Sequence, residues 1–264
     1  QSLRAVESYT QTLQPGWNQI STPFGFAVDW SAVEGTDSVE PPVAYRSVGS
    51  EGPPEYVYDQ PTLRPWRGYF VFNSSTAPVS ITVPPVTASG QDTPSATAGM
   101  SVDPADAAYS MQLTSYVQGY ALQHTQTFLG FRSSTRSAPR TFAAAPPVGP
   151  FVRTTVVHNS TGHAGYYVDT PTEGYAWEVE VAAQTGNALR ESREVRVQMH
   201  ETGTLPDGFE RYVIDLEDRR RVAVTGPSFT ATLPAGESTR RYRIVVGTPA
   251  FAEQESGGIS LQSF

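Results

Sequence analysis

A chain of 264 residues with 26 carboxylates against 18 basic side chains, a formal charge of −8 and no cysteine excludes disulfide and thiol chemistry. That acidic balance also argues against a nucleic-acid backbone as partner, which would want a clustered basic field. No apolar run approaches the roughly 20 residues of a membrane-spanning helix, so a chain that does not span a membrane is expected.

The 22 glycines and 22 prolines punctuate apolar runs instead of filling them, which predicts many short strands joined by many turns. Every basic residue is arginine and lysine is absent, a bias that a GC-rich coding sequence or life in high salt would produce. The chain opens Gln1-Ser2-Leu3-Arg4 without an initiator methionine, and reads as a mature product or a piece of something longer.

Glu7 to Leu13 alternates as an opening strand, and Pro15-Gly16 turns it into Trp17 to Phe24. Trp17, Phe24, Val28 and Trp30 supply apolar mass. Ser31 to Pro54 reads as a long connection with at most one short strand, near Val43 to Tyr45. Tyr56 and Tyr58 flank Val57. Arg64-Pro65 then makes a turn, Gly68 permits a tight bend, and Tyr69 to Phe72 is strongly β-prone. Val79, Ile81 and Val83 share one face of a further strand. Residues 1–88 are therefore expected to form one β-sandwich module, and the Ser, Thr, Ala, Pro and Gly of 89–105 a linker or interdomain crossing.

Residues 106–252 are expected to form a second β-sandwich, so that the chain is all-β with two domains of mostly antiparallel strands. Tyr109, Met111 and Leu113 alternate, and Tyr116 to Leu122 forms a separate short strand. A loop follows Phe131 and runs to Pro150. Further strands are expected near 151–158, 164–168, 174–182, 193–199, 210–216, 220–225, 228–232 and 240–247, enough for two packed sheets of four or five strands each. The polar stretch 253–264 is expected to fray as a tail.

Leu13-Gln14-Pro15-Gly16-Trp17-Asn18-Gln19-Ile20-Ser21-Thr22-Pro23-Phe24, then Val28-Asp29-Trp30-Ser31 and Pro65-Trp66-Arg67-Gly68-Tyr69-Phe70-Val71-Phe72-Asn73, resembles the PGWN/GYWV-type β module. That module occurs in large exported, surface or type IX-secreted proteins of Bacteroidetes-like bacteria and their halophilic or thermophilic relatives. Phe70 stands where a Trp is frequent. More loosely, Trp177 to Val181, Leu205 to Phe209 with Ile214 to Asp218, and Arg241 to Gly247 resemble the domain that often follows it. The resemblance implies an extracellular or outer-surface location and a non-catalytic structural, spacer or display role. Its partners would be neighbouring domains of the same polypeptide or other cell-surface proteins.

The residues themselves offer few sites. Neither a nucleophile elbow nor a phosphate loop is present, so no catalytic residue is assigned and no enzyme is expected. His158, His163 and Asp169 are the metal candidates that can be constructed, converging at the mouth of a hairpin. Asp29, Asp92, Asp103 with Asp106, or Asp215 with Asp218 are candidates for a structural calcium. Trp30, Tyr56, Tyr58, Trp66 and Tyr69 in the first module are candidate glycan-stacking or docking rings, with Tyr166, Tyr167 and Tyr175 in the second. They keep open an alternative, a carbohydrate-binding accessory region of a secreted hydrolase that takes polysaccharide. The arginines of 219–221 and 240–243 read as surface charges paired across adjacent strands.

Overall fold

The computed structural model describes residues 7–46, 55–88, 107–117, 120, 122–132, 140–147, 150–185 and 192–256. The described residues are all-β apart from a 3-10 turn at Trp30–Ala32 and one short helix. It divides into two compact units, Gln1–Gly99 and Met100–Phe264. The crossing expected at 89–105 lies outside the described residues.

The first unit contains β1 (Tyr9–Leu13), β2 (Gly16–Ile20), β3 (Val28–Asp29), β4 (Val43–Arg46), β5 (Glu55–Val57), β6 (Thr62–Leu63), β7 (Tyr69–Asn73) and β8 (Val79–Val83). A four-stranded antiparallel sheet runs β2-β7-β4-β5, beside the pairs β1-β8 and β3-β6. Strand alternation decides the core. Tyr69 and Val71 of β7 point inward to meet Leu13, Ile20, Val28, Leu63 and Ile81, while Phe70 and Phe72 point the other way.

Two asparagines hold the turns of this unit. After Gly16, whose φ of +87° favours a residue without Cβ, Asn18 closes the turn between β1 and β2. Its Oδ1 accepts from the Gln14 N–H at 2.8 Å, and its Nδ2 donates to the carbonyls of Gln14 at 2.7 Å and Gly16 at 2.9 Å. Asn73 takes an inward position and is only 1% exposed. Its Nδ2 donates to the Leu13 and Ala77 carbonyls, and its Oδ1 accepts from the N–H and hydroxyl of Ser75. A buried amide is tolerated there because both of its ends are satisfied.

The second unit contains β9 (Ala107–Val117), β10 (Gln123–Arg132), β11 (Arg140–Ala143), β12 (Phe151–His158), β13 (Thr161–Asp169) and β14 (Gly174–Gln184). It continues with β15 (Arg193–Gly203), β16 (Glu210–Asp215), β17 (Arg220–Arg221), β18 (Ser228–Leu233), β19 (Thr239–Gly247) and α1 (Pro249–Glu255). The eleven strands make one hydrogen-bonded sheet, ordered β17-β16-β19-β14-β12-β13-β10-β9-β15-β18, with β11 also on β13. Two separate sheets were expected, so this is a correction.

The reason lies in the β12–β13 hairpin. Its strands pair over three positions alone, Val156 to His158 against His163 to Thr161. Beyond them β12 follows β14, while β13 runs parallel to β10 and antiparallel to β11. The sheet folds at this corner, so the two arms face each other over a single core. Phe131 meets Trp177 across it with ring centroids 5.4 Å apart, and Phe229 meets Tyr242 at 5.3 Å.

Three further expectations are corrected. β9 is one unbroken strand, because β15 pairs with it continuously from Tyr109 to Val117. β10 is longer than its apolar run because β9 pairs with it back to Gln123, and β11, in the stretch expected to be a loop, gains its ladder from β13. Gly130 permits the close approach within β10, since a Cβ there would fall 2.2 Å from the Tyr109 carbonyl oxygen. Lastly, α1 occupies the start of the expected tail. Thr248 caps it by accepting from the Phe251 N–H, Pro249 sits in its first turn, and Ala252 is buried against Tyr212, Ile214 and Val245. Residues 257–264 lie outside the described set.

Candidate functional site

The structure separates the candidate rings of the first unit. Tyr69 is buried and its hydroxyl accepts from the Arg64 N–H at 2.8 Å, and Tyr58 is also buried. Neither presents a face to a sugar, which corrects the expectation for both. Trp30 packs half-buried against the core. Trp66 is 95% exposed, at a φ of +62° that a bulky side chain rarely adopts.

Tyr56 belongs to a row of rings on the outer face of the four-stranded sheet. It lies 5.2 Å from Tyr45 and 6.3 Å from Phe70 by ring centroid, and Trp17 touches both Phe70 and Phe72. Trp17, Tyr45, Phe70 and Phe72 are not among the rings that the sequence singles out. Their signal was the aromatic character of both faces of β7.

In the second unit, Asn159 and Ser160 form a two-residue hairpin loop, each with positive φ as a type I′ turn requires. His158 and His163 flank it, so the hairpin mouth does bring these two together. Asp169 does not join them. It sits six residues farther along β13, about 20 Å away at the rise of a strand, and pairs with Arg132 at 2.8 Å. Among the described residues no group of three His, Asp or Glu side chains is placed to hold a metal ion.

Around this corner the rings are close. Tyr166 lies 5.0 Å from His158 and 5.8 Å from His163, and 6.4 Å from a near-parallel Tyr175, which in turn meets Trp177 at 4.9 Å. A cleft of about 280 Å³ opens here, lined by His158, Asn159, Tyr166, Tyr175, Trp177 and Glu178 among others. Trp177 is 1% exposed, and among the described residues its Nε1–H has no acceptor and the buried Nδ1 of His163 no partner. Burial, and after it the charge of His158, lower the pKa of His163, so its imidazole is held neutral. Tyr167 is buried, its hydroxyl 3.1 Å from that of Ser110, and takes no part.

Arg241 and Arg243 pair with carboxylates of the adjacent strand as expected, whereas Arg240, expected at the surface, is buried, which corrects that part of the reading. β14 lies against β19 with Glu178 opposite Arg243 and Glu180 opposite Arg241, and the side chains meet at 2.9 and 3.8 Å. Asp215, 3% exposed, accepts from the Nε of Arg240 at 2.8 Å through one oxygen. Its other oxygen accepts from the N–H groups of Glu217 and Asp218. Asp218 pairs with Arg240 and Arg220. The carboxylates of Asp215 and Asp218 thus have arginine partners. Asp92, Asp103 and Asp106 lie outside the described residues, and the Asp29 carboxylate faces the Thr62 hydroxyl at 3.5 Å.

Fold and site together define an all-β, β-sandwich-like protein with an aromatic cleft at one corner of its larger unit. Compared with protein-family models, curated proteins and solved structures, the chain has no match. Among the described residues no helix is long and apolar enough to cross a membrane.

Proposed function

We propose that this chain is a non-catalytic bracing and display region of a larger exported bacterial surface protein, working outside the cell or on its outer face. The observation that supports this reading is the way charge is used between strands. Arginines of β19 join carboxylates of β14 and β16 side by side, and the one nearest the interior is a buried pair. Cross-links of this kind tie neighbouring strands together along the edge-to-edge direction. The PGWN/GYWV resemblance points the same way.

Pulling single full-length molecules between terminal handles should give separate cooperative force peaks for the two units. Smooth low-force extension, as of an unfolded chain, would show that the region cannot brace anything.

Trp66 favours the second reading, a carbohydrate-binding accessory region. A large ring left in water at positive φ is held against its own conformational preference, and such outliers gather at ligand contacts. Retention of the chain by insoluble cellulose, chitin or xylan should then fall about tenfold or more in Trp66→Ala, the loss expected when a stacking ring is removed. Equal retention of wild type and variant on every polymer would remove Trp66 from the case.

A further inference from the structure

Two charges on the outer face of β15 make no ion pair among the described residues, and both line one groove. Val195, Val197 and Met199 are buried in the core, so alternation turns Glu194, Arg196 and Gln198 outward. Glu194 and Arg196 border a groove of about 680 Å³ together with Tyr116 of β9, Thr230 of β18 and Thr225 just before it. A groove of this size can take a small molecule. Glu194, Arg196, Thr225 and Thr230 are exposed and Tyr116 is half-buried, so the lining is open to a ligand. Elsewhere Arg132, Arg211, Arg220, Arg240, Arg241 and Arg243 each meet a carboxylate of the chain.

Arg196 is held in place by a short relay. Its Nε donates to the Ser228 hydroxyl oxygen at 3.2 Å, and that hydroxyl, on a residue 3% exposed, donates to the Thr225 carbonyl at 3.2 Å. Ser228 stands opposite Gln198, whereas Arg196 stands opposite Thr230. The guanidinium is therefore drawn along the strand away from Glu194, and the two opposite charges do not join. Its edge bearing the two Nη groups makes no hydrogen bond among the described residues. A planar edge of this kind takes a carboxylate through two parallel bonds.

Glu194 decides what that carboxylate must be attached to. A polyanion would be repelled by Glu194 and by a chain of net charge −8, and a simple cation would be repelled by Arg196. A small ligand that carries both signs satisfies both groups. The two side chains leave the strand about 7 Å apart, so the head group of an amino acid can lie between them.

We propose that this groove binds a small zwitterion of the α-amino acid class, its carboxylate on the Nη edge of Arg196 and its ammonium at Glu194. The site goes beyond the bracing role and is independent of Trp66. The test titrates the full chain near neutral pH with the common α-amino acids, read by calorimetry and by ligand-observed NMR. At least one should bind saturably. Its N-acetyl and carboxamide derivatives, each lacking one charge, should bind about tenfold more weakly or worse, the loss of one charge-assisted hydrogen bond. Arg196→Gln and Glu194→Gln should each weaken the parent amino acid by a similar factor. Both residues are exposed, so their variants should unfold at the wild-type midpoint. Arg67→Gln, at an exposed arginine of the first unit, should bind as the wild type does. The proposal is overturned if no amino acid binds, or if either derivative binds as well as the parent. It is likewise overturned if either groove variant binds like the wild type, or if Arg67→Gln loses as much as they do.

Discussion

Asp215→Ala should destabilise the second unit by about 3–5 kcal/mol, the cost of leaving a buried charge without its partner. At roughly 2–4 °C per kcal/mol for a domain of this size, its unfolding midpoint should drop by about 10 °C. The magnitude follows from burial. Arg240 is 8% exposed and Asp215 3%, so water cannot replace the lost carboxylate at the guanidinium. Asp218 keeps one contact with Arg240 but lies half in solvent, and offsets only part of the loss. The variant also frees the N–H groups of Glu217 and Asp218, which loosens the turn between β16 and β17. Adding Arg240→Met should recover the share due to the stranded guanidinium, while the turn remains weakened. A midpoint shift for Asp215→Ala no larger than that of an exposed pair, such as Arg241→Ala produces, would mean that the buried pair does not brace this face.

Acid should weaken the second unit well before its carboxylates titrate, through His124 on β10. Burial, and then the charge of Arg153, push the His124 pKa down to about 3, and among the described residues its enclosed Nδ1 has no hydrogen-bond partner. The unfolded chain takes up that proton near pH 6.5. Between pH 6.5 and about 3 the unfolded state therefore binds one proton more than the folded state, and stability falls as pH falls. The slope is about 1.4 kcal/mol per pH unit for the one group. His163, whose pKa is also lowered, adds to the slope in the same direction below pH 6.5. Urea midpoints of wild type and His124→Gln, followed from pH 7 to pH 4.5, should diverge in slope by about that amount, since the amide does not titrate. Parallel slopes would place the His124 imidazole in contact with solvent.

How far the sequence could be read depended on whether inward positions were apolar. Val195, Val197 and Met199 on β15, and Tyr242, Ile244 and Val246 on β19, alternate cleanly and lie buried as the pattern demands. β10 defeats that reading because its inward row includes Thr127, whose hydroxyl donates to the Thr154 carbonyl of the facing arm. β11 has no apolar rhythm over its four residues, and exists because β13 offers it an edge. The same limit applies to the site. His158 and His163 were legible as a pair, since five residues spanning a two-residue turn place them on opposite strands of one hairpin. Asp169 was grouped with them by closeness in sequence, whereas an extended strand carries it away along its length.

The sequence by itself determined the all-β class, the inward faces of the apolar strands and the pairing of acidic with basic runs. These properties follow from period-two alternation within a strand and between immediate neighbours. Only the tertiary structure decided that eleven strands form one folded sheet, that Tyr58 and Tyr69 are buried while Trp66 is not, and that Trp177 stands beside an open cleft. Alternation assigns a side chain to a face, but what covers that face depends on strands distant in the chain. Here that was set by a hairpin whose two strands pair briefly and then part.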